Sequence, residues 1–441
     1  MSPPFDTNWI SKIGHVAFGE SATILGDTRF QLLLSAELVI VLGTSLISPI
    51  LNSLSGVYDV SPGTIGLMVT AITAPAVVLI PIAGSLADRY GRRPVLIAGL
   101  FLFGSGGLSL VFTTDFRAVL VLRGIQGVGY AFTLPTLITT IRDLYTGQQE
   151  STGQGLRHAT GGIGNAVFPI LASVAVVVAW NLPFLLYGLA VLVANGMYTW
   201  FDEPTGRNAD TVQSGSVDRE RSTPATTGQR AYVRQVLGVT IRPHVAAILV
   251  ARTLFSVVVF AFLTYNSLVV AHVFDGTPAL AALQVSLWAG VYFVVSTQAG
   301  RITGRWGYTV PLLVLNAGLG IGLVLLAVGP SIHVAGLGIV CIGVGVGLGG
   351  GLYRSLISGF APEALRAGVV SVGEVVGRLG ASATPVVLGL VITYLEPDLG
   401  TRLSLQWTIG GTGLVIFVVG ISCVGLYHVT VPSDDGTVPT S

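Results

Sequence analysis

Gly84-Ser85-Leu86-Ala87-Asp88-Arg89-Tyr90-Gly91-Arg92-Arg93-Pro94 is a charged turn set between two apolar runs, 64–83 and 95–113. A helix rises about 1.5 Å per residue, so about 20 apolar residues cross the roughly 30 Å hydrocarbon core of a bilayer. The stretch therefore reads as a loop joining two spanning helices. Gly84 lets helices approach closely. Gly91 permits a turn with positive φ. Asp88 can sit at the positive N-terminus of a neighbouring helix. The plainer reading of the same residues is a basic loop that Arg89, Arg92 and Arg93 hold on one face of the membrane.

Working outward, the same kind of run recurs. Twelve are present: 30–53, 64–83, 95–113, 118–141, 153–179, 183–201, 245–271, 278–299, 309–329, 333–358, 367–394 and 405–428, numbered here helices 1 to 12. Composition agrees. Apolar residues make up 51% of the 441 and charged residues only 10%, with a mean hydropathy of +0.78. A water-facing surface needs roughly 25% charged residues across the chain, so lipid must be much of this chain's solvent. The net charge of +1 gives no case for nucleic acid. Cys341 and Cys423 lie inside apolar runs and read as free, buried thiols.

One long polar connection divides the chain. The expected organisation is a leader, 1–29; a six-helix half, 30–201; a central loop, 202–244; a second six-helix half, 245–428; and a tail, 429–441. With the N-terminus inside, sixteen basic residues, from Lys12 and Arg29 to Arg354 and Arg366, lie on the cytoplasmic side, and only Arg117 and Arg402 lie outside. The bias of basic residues sets orientation, so both termini and the central loop are expected in the cytoplasm of a cell-membrane protein. No cleavable signal peptide is visible; Trp9, Ile10, Ile13 and Val16 would suit a short amphipathic helix on the membrane surface.

The two halves look duplicated. A shift of 216 residues carries Gly84, Arg89 and Gly91 onto Gly300, Arg305 and Gly307, and Gly161, Gly164 and Pro169 onto Gly377, Gly380 and Pro385. Glycine matches alone mean little in a chain with 58 glycines. The arginine and proline matches at one fixed offset are harder to obtain by chance. Parallel repeats with a site between them near the bilayer midplane are a known transporter plan.

The Gly84–Pro94 loop resembles the signature loop of the major facilitator superfamily: Gly, then Asp-Arg four residues on, then Gly-Arg-Arg. The resemblance covers most of residues 30–428. It implies two pseudo-symmetric six-helix bundles, an all-α membrane fold. It also implies a conformational lock of Gly84, Asp88, Arg89, Gly91, Arg92, Arg93 and Asp143, with Asp88 at the start of helix 11 in an outward-facing state and Arg92 on Asp143. The second copy has Gly304 where the acid would be, so the charge lock is expected in the first half alone.

Helix 4 carries Leu122-Arg123-Gly124-Ile125-Gln126-Gly127, which resembles the family's helix-4 motif. There the arginine serves proton coupling or shapes the cavity. An arginine at a span's centre costs roughly 2.5–3.5 kcal/mol on insertion scales. Arg123 therefore either faces the interior, near Gln126, Tyr130 or a helix-1 group, or snorkels to the interface. Helix 5 departs from the antiporter pattern of the family: Phe168 stands where a glycine precedes Pro169. Asn165 on that helix is either a helix–helix hydrogen bond or cavity lining. Gly343, Gly347 and Gly351 form a packing stripe on helix 10.

Ionisable residues at matching depth suggest two buried pairs, Glu37 with Arg157 or His158, and Glu374 with Arg252. Arg378 competes for Glu374 at i, i+4. Mutual neutralisation is one reading; proton exchange as a pair breaks is the other, with His158 able to titrate near neutral pH.

No Walker loop, HExxH or Cys/His cluster is present, so neither an ATP-driven pump nor another enzyme is expected, and no cofactor or metal. The resemblance implies a secondary transporter working by alternating access. The first expectation is proton-coupled efflux of amphipathic compounds by a monomer in a lipid bilayer, its partners a small-molecule substrate and H+. The second is a uniporter or symporter for a sugar, carboxylate or amino acid. A transporter-like sensor is the reading from another class.

Overall fold

The computed structural model describes residues 24–203 and 226–430. The leader residues Trp9, Ile10, Lys12, Ile13 and Val16, the central arginines Arg207, Arg219 and Arg221, and the tail 431–441 lie outside them. Among the described residues all regular structure is helical.

The apolar runs form the helices. Helix 1 spans Thr28–Val57, helix 3 Arg92–Phe112, helix 4 Phe116–Leu144, helix 5 Gln148–Val178 and helix 6 Leu182–Trp200. Helix 2 begins as Pro62–Ile65 and continues as Leu67–Tyr90. Helices 7 to 10 are Pro243–Phe274, Pro278–Trp306, Thr309–Val328 and Ile332–Gly359. The last helical stretch, Glu363–Thr430, is broken at Gly400, where φ is 72°. That break makes it two spans, helices 11 and 12.

Sequence chemistry sets the ends. Asp27, Asp115, Thr277 and Ser331 each accept a backbone N–H in the first turn of the helix that follows, the usual N-cap. Pro243 and Pro278 stand in the first turn, where a missing N–H costs nothing.

The connection 202–244 is not loop throughout. It contains a helix, Thr226–Thr240. Tyr232, Val236 and Val239 recur at helical spacing, and Val236 and Val239 are buried. At Gly368 of helix 11, an added Cβ would lie 2.6 Å from Val236 Cγ2 and 2.7 Å from Tyr232 Oη. The linker helix therefore lies directly on helix 11. Its polar majority hid this short apolar row from a composition-based reading.

The duplication is written into the backbone. Gly91 and Gly307, 216 positions apart, both take positive φ, 94° and 65°. Asp59 and Asp275, at the same offset, both have φ 50°. Aspartate is among the few non-glycine residues that enter this region readily. Pro62 and Pro278 follow at the same offset, each opening a helix.

Two compact units divide the structure. The first holds residues 24–46, 74–168 and 175–203; the second holds 47–73, 169–174 and 226–430. The packing boundary thus differs from the sequence boundary: the later part of helix 1 and the start of helix 2 belong with the second half.

Within the first unit, helices 3 and 4 meet at glycine. A Cβ on Gly129 would lie 2.5 Å from Gly99 O and from Phe103 N. Within the second, helix 10 uses alternate glycines on two neighbours. Gly343 and Gly347 sit on Val291 and Val295 of helix 8, and Gly345 sits on Leu315 O of helix 9. Gly351, expected in the same stripe, has nothing within 4 Å of its would-be Cβ.

The second unit also contains a seam. Gly63, at the start of helix 2, lies against Gly389 of helix 11 so closely that a Cβ on either would strike the other's carbonyl. Gly66 faces Thr264 and Tyr265 of helix 7 at 3.0 Å from its would-be Cβ. Asn52 N donates to Ser267 Oγ at 3.3 Å, and Thr70 Oγ1 donates to Ser382 O at 3.1 Å. Tyr265 Oη donates to Pro385 O at 2.7 Å, fixing helix 7 to helix 11 beside the seam. Gly63→Ala should force this seam apart, because overpacking costs about 1–3 kcal/mol, roughly a 5- to 150-fold shift in a two-state balance. A cysteine placed at the buried Ser382, with Cys341 and Cys423 replaced, should then react faster with an impermeant maleimide supplied to the face carrying the 58–61 turn. An unchanged rate would show that the seam tolerates the methyl.

Candidate functional site

The loop that opened the sequence analysis forms a charge cluster in the first unit. Helix 2 ends at Tyr90, Gly91 turns the chain, and helix 3 starts at Arg92. Arg92 holds two acids: Nε donates to Asp143 Oδ2 at 2.8 Å, and Nη1 lies 2.7 Å from Asp88 Oδ1. The backbone N–H groups of Arg92 and Arg93 donate to the two oxygens of Glu203, at 2.5 and 2.9 Å. A carboxylate here neutralises the positive end of helix 3. Gly91 is doubly required, by its φ and by the Glu203 carboxyl 2.7 Å from any added Cβ.

Arg93 Nη2 donates to Tyr198 O at 2.5 Å, and Arg89 lies over the Tyr90 ring at 5.4 Å. One expectation is not met in this arrangement. A Cβ on Gly84 would meet nothing within 4 Å, so Gly84 makes no close helix contact. Asp88 is exposed and paired with Arg92. Glu203 escaped the sequence reading; an acid just past the sixth apolar run was the available signal.

Deeper in the same unit, Arg123 is 0% exposed, which rules out snorkelling. Helix 1 is interrupted between Leu42–Ser45 and the tighter turn Ser48–Ile50, where Pro49 supplies no N–H. Arg123 covers that irregular stretch. Its Nη2 donates to Gly43 O at 2.7 Å, and its Nη1 donates to Gln126 Oε1 at 2.8 Å and to Tyr187 Oη at 3.0 Å. Tyr187 in turn donates to Leu42 O at 3.2 Å, and Gln126 Nε2 to Phe103 O at 3.2 Å. Tyr187 escapes the sequence reading; it ends the 3-10 stretch Leu182–Tyr187 that opens helix 6, remote in sequence.

Glu37 and Arg157 form a buried pair, Oε2 to Nη1 at 2.8 Å, with side chains 8% and 5% exposed. Gln154 Oε1 accepts from Arg157 Nε at 3.1 Å, and His158 Nε2 lies 3.1 Å from Arg157 Nη2. The His158 residue itself is exposed. Asn165 is half-buried and hydrogen-bonds to no described residue, so the helix–helix bond expected of it is not made.

The second unit has the related but looser group. Arg252 Nη2 lies 3.8 Å from Glu374 Oε2, and Arg252 Nη1 donates to Ser256 Oγ at 2.7 Å. The competitor for Glu374 is not Arg378. It is Arg354 of helix 10, at 3.6 Å. Arg378 is within ion-pair distance of no described acid, and Arg354 reaches Glu374 from helix 10. Arg354 is among the basic residues that the sequence places on the cytoplasmic side.

Outside the spans, Asp27 is an N-cap with strong partners. Burial works to raise its carboxyl, but hydrogen bonds from Arg29 and Tyr145 outweigh that and hold it below its ordinary value.

Arg123→Ala should still insert. It should melt several degrees lower and transport less, since Gly43 O, Gln126 and Tyr187 lose a charged donor worth about 1.5–3 kcal/mol per bond. Arg123→Lys, one compact donor in place of a fork, should recover part of the melting temperature. A parent-like melting temperature in Arg123→Ala would show that these bonds hold nothing in place.

Comparison with known proteins agrees with this geometry. The model of the Major Facilitator Superfamily matches residues 33–385. The bacillibactin exporter of Bacillus subtilis is 31% identical over 157 residues, 34% of this chain and 39% of that protein. The 3-(3-hydroxy-phenyl)propionate transporter of Escherichia coli is 25% identical over 371 residues, covering 81% of this chain and 83% of that one. Among solved structures, a bacterial homolog to the human lysosomal transporter Spinster superposes with a TM-score of 0.71 at 15% identity, over 91% of this chain and 96% of that one. The chain spans about two fifths of the length of the bacillibactin exporter that it matches. With the family model matching most of its length, the chain belongs to the Major Facilitator Superfamily and is a multi-pass membrane protein.

Proposed function

We propose that this chain is a proton-coupled exporter of small amphipathic compounds that works by alternating access. The observation that carries the coupling is the Glu37–Arg157 pair. An acid and a base 2.8 Å apart inside a membrane span, both almost fully buried, are stable only together. When the pair separates, a lone carboxylate in a low-dielectric site takes up a proton more cheaply than it stays charged. His158, exposed and touching Arg157, gives a route for that proton.

The bias of basic residues supports cytoplasmic termini, and in that orientation the Gly63–Gly389 seam is the outer closure. In the opposite state Asp88 leaves its exposed position for the start of helix 11, near Arg366 to Gly368. Arg92, held by Asp143, stays as its anchor. Arg252, Glu374 and Arg354 then form the corresponding charge group of the second half, where one acid is shared by two bases. Export is supported by the bacillibactin exporter among the relatives. Uptake of an aromatic acid is the second reading, favoured by the 81% of the chain that aligns with the 3-(3-hydroxy-phenyl)propionate transporter.

Purified protein in proteoliposomes tests the coupling. An imposed pH gradient should drive transport in the parent. Glu37→Gln should abolish the gradient's effect while leaving counterflow exchange of substrate intact, since exchange needs no net proton movement. Gradient-driven transport at the parent rate in both Glu37→Gln and Glu374→Gln would remove the carboxylates from the coupling mechanism. Accumulation on the opposite side would favour uptake.

A further inference from the structure

Helix 8 carries two buried polar side chains that hydrogen-bond to no described residue. Gln284 is 4% exposed, and both Oε1 and Nε2 of its amide are unpaired. Trp288, one turn on, is 5% exposed, and its indole Nε1–H is unpaired. The neighbouring elements contribute more of the same. Asn266 of helix 7 donates through Nδ2 to Ala281 O at 3.2 Å, just before Gln284, and leaves Oδ1 unpaired. The Ser48–Ile50 turn packs on helices 7 and 8 and buries an unpaired Ser48 Oγ.

Such groups need an explanation. A buried amide or indole N–H without a partner has lost its water and gained nothing. Methionine and phenylalanine would fill similar space with no polar group to satisfy. Packing alone therefore does not account for this pair.

Their placement points to a ligand. Gln284, Trp288, Tyr292 and Ser296 recur every fourth residue, so they share one face of helix 8. Exposure rises along that face: the first two are buried, Tyr292 is half-buried and Ser296 is exposed. Trp288 stacks on Tyr292, ring centres 5.9 Å apart and planes 14° apart, and meets Phe262 of helix 7 at 5.7 Å. Gly343 and Gly347 of helix 10 fix the adjacent flank of helix 8. Trp288 lies ten residues from Pro278, about 15 Å along the helix, which is near the midplane of a roughly 30 Å core. No Asp, Glu, Lys or Arg occurs at 253–274 or 278–300.

We propose that Gln284 and Trp288 recognise the flat, uncharged part of the transported molecule, a ring bearing a carbonyl, nitro or hydroxyl oxygen. The indole N–H and the amide Nε2 donate to that oxygen, and the amide Oε1 accepts from a hydroxyl. Phe262 and Tyr292 supply the aromatic flank. This rests on the transporter reading above and not on its proton coupling.

The test uses the full chain, purified, with chloramphenicol and 3-(3-hydroxyphenyl)propionate as probes, and measures affinity and melting temperature together. Q284M keeps the length of the side chain and loses the amide; W288F keeps a ring and loses the N–H. Each should weaken binding about tenfold, one hydrogen bond's worth. Q284M should melt at or above the parent, because an apolar replacement removes an unpaired buried group. Trp407→Phe, on the exposed face of helix 12, should change neither. Parent-like affinity in both variants, a lowered melting temperature in Q284M, or no binding of either probe by the parent overturns the assignment. Loss of pH-gradient coupling in Glu37→Gln would leave all these readings unchanged, so the two proposals fail separately.

Discussion

Hydrocarbon offers no hydrogen bonds, so each polar group placed at bilayer depth must find its partner within the protein. Arg123 shows how far this requirement reaches. Helix 1 is not a continuous α-helix, and its irregular stretch around Gly43 would leave a carbonyl bare. The guanidinium fork covers it, and Gln126 and Tyr187 complete the arginine's own bonding. The charge is tolerated because the helix is broken, and the broken helix is tolerated because the charge is there. Three helices are fixed by that exchange. The Glu37–Arg157 pair joins helix 1 to helix 5 a short way off, so the two charged sites buried within the spans of the first unit are both anchored on helix 1.

The same rule is met differently in the two halves. In the first, one arginine at the loop satisfies Asp88 and Asp143, and Glu203 caps the helix beginning there. In the second, the loop has Gly304 in place of the acid, and nothing lies near it. The intramembrane pairs differ the other way. Glu37 and Arg157 are tight and buried, whereas Glu374 sits 3.8 and 3.6 Å from two arginines and is a third exposed. Duplication kept the backbone, down to the paired positive φ values, and let the charges diverge. A loose group with a surplus of positive charge is easier to rearrange than a closed pair.

What the sequence made legible follows from what it encodes locally. Helix number, the loop motif and the repeat are periodic or short-range signals, and the bilayer length converts them directly into spans. The Glu37–Arg157 contact was reachable because depth and charge leave few alternatives inside lipid. Glu203, Tyr187 and Arg354 were not reachable, since each acts on a residue far away in the chain and none is unusual in its own neighbourhood. The linker helix was hidden by the polar residues around Tyr232, Val236 and Val239. Gln284 and Trp288 stood at helical spacing in plain view. Only burial separates them from ordinary span residues, and burial is a property of the fold.

The seam closes by a means suited to being opened. Its contacts are neutral: Asn52 with Ser267, Thr70 with Ser382, and glycine backbones in van der Waals touch. Each neutral bond is worth about 0.5–1.5 kcal/mol net, and separated hydroxyls and amides can be rehydrated when the gap fills with water. A buried ion pair in the same place would cost several kcal/mol to part, because two charges would be stranded together. Ion pairs are accordingly found along helices 1 with 5, and 7 with 10 and 11, within a unit. The seam itself uses small residues and uncharged oxygens. In the proposed cycle the strong contacts thus lie where helices stay together and the weak ones where they part.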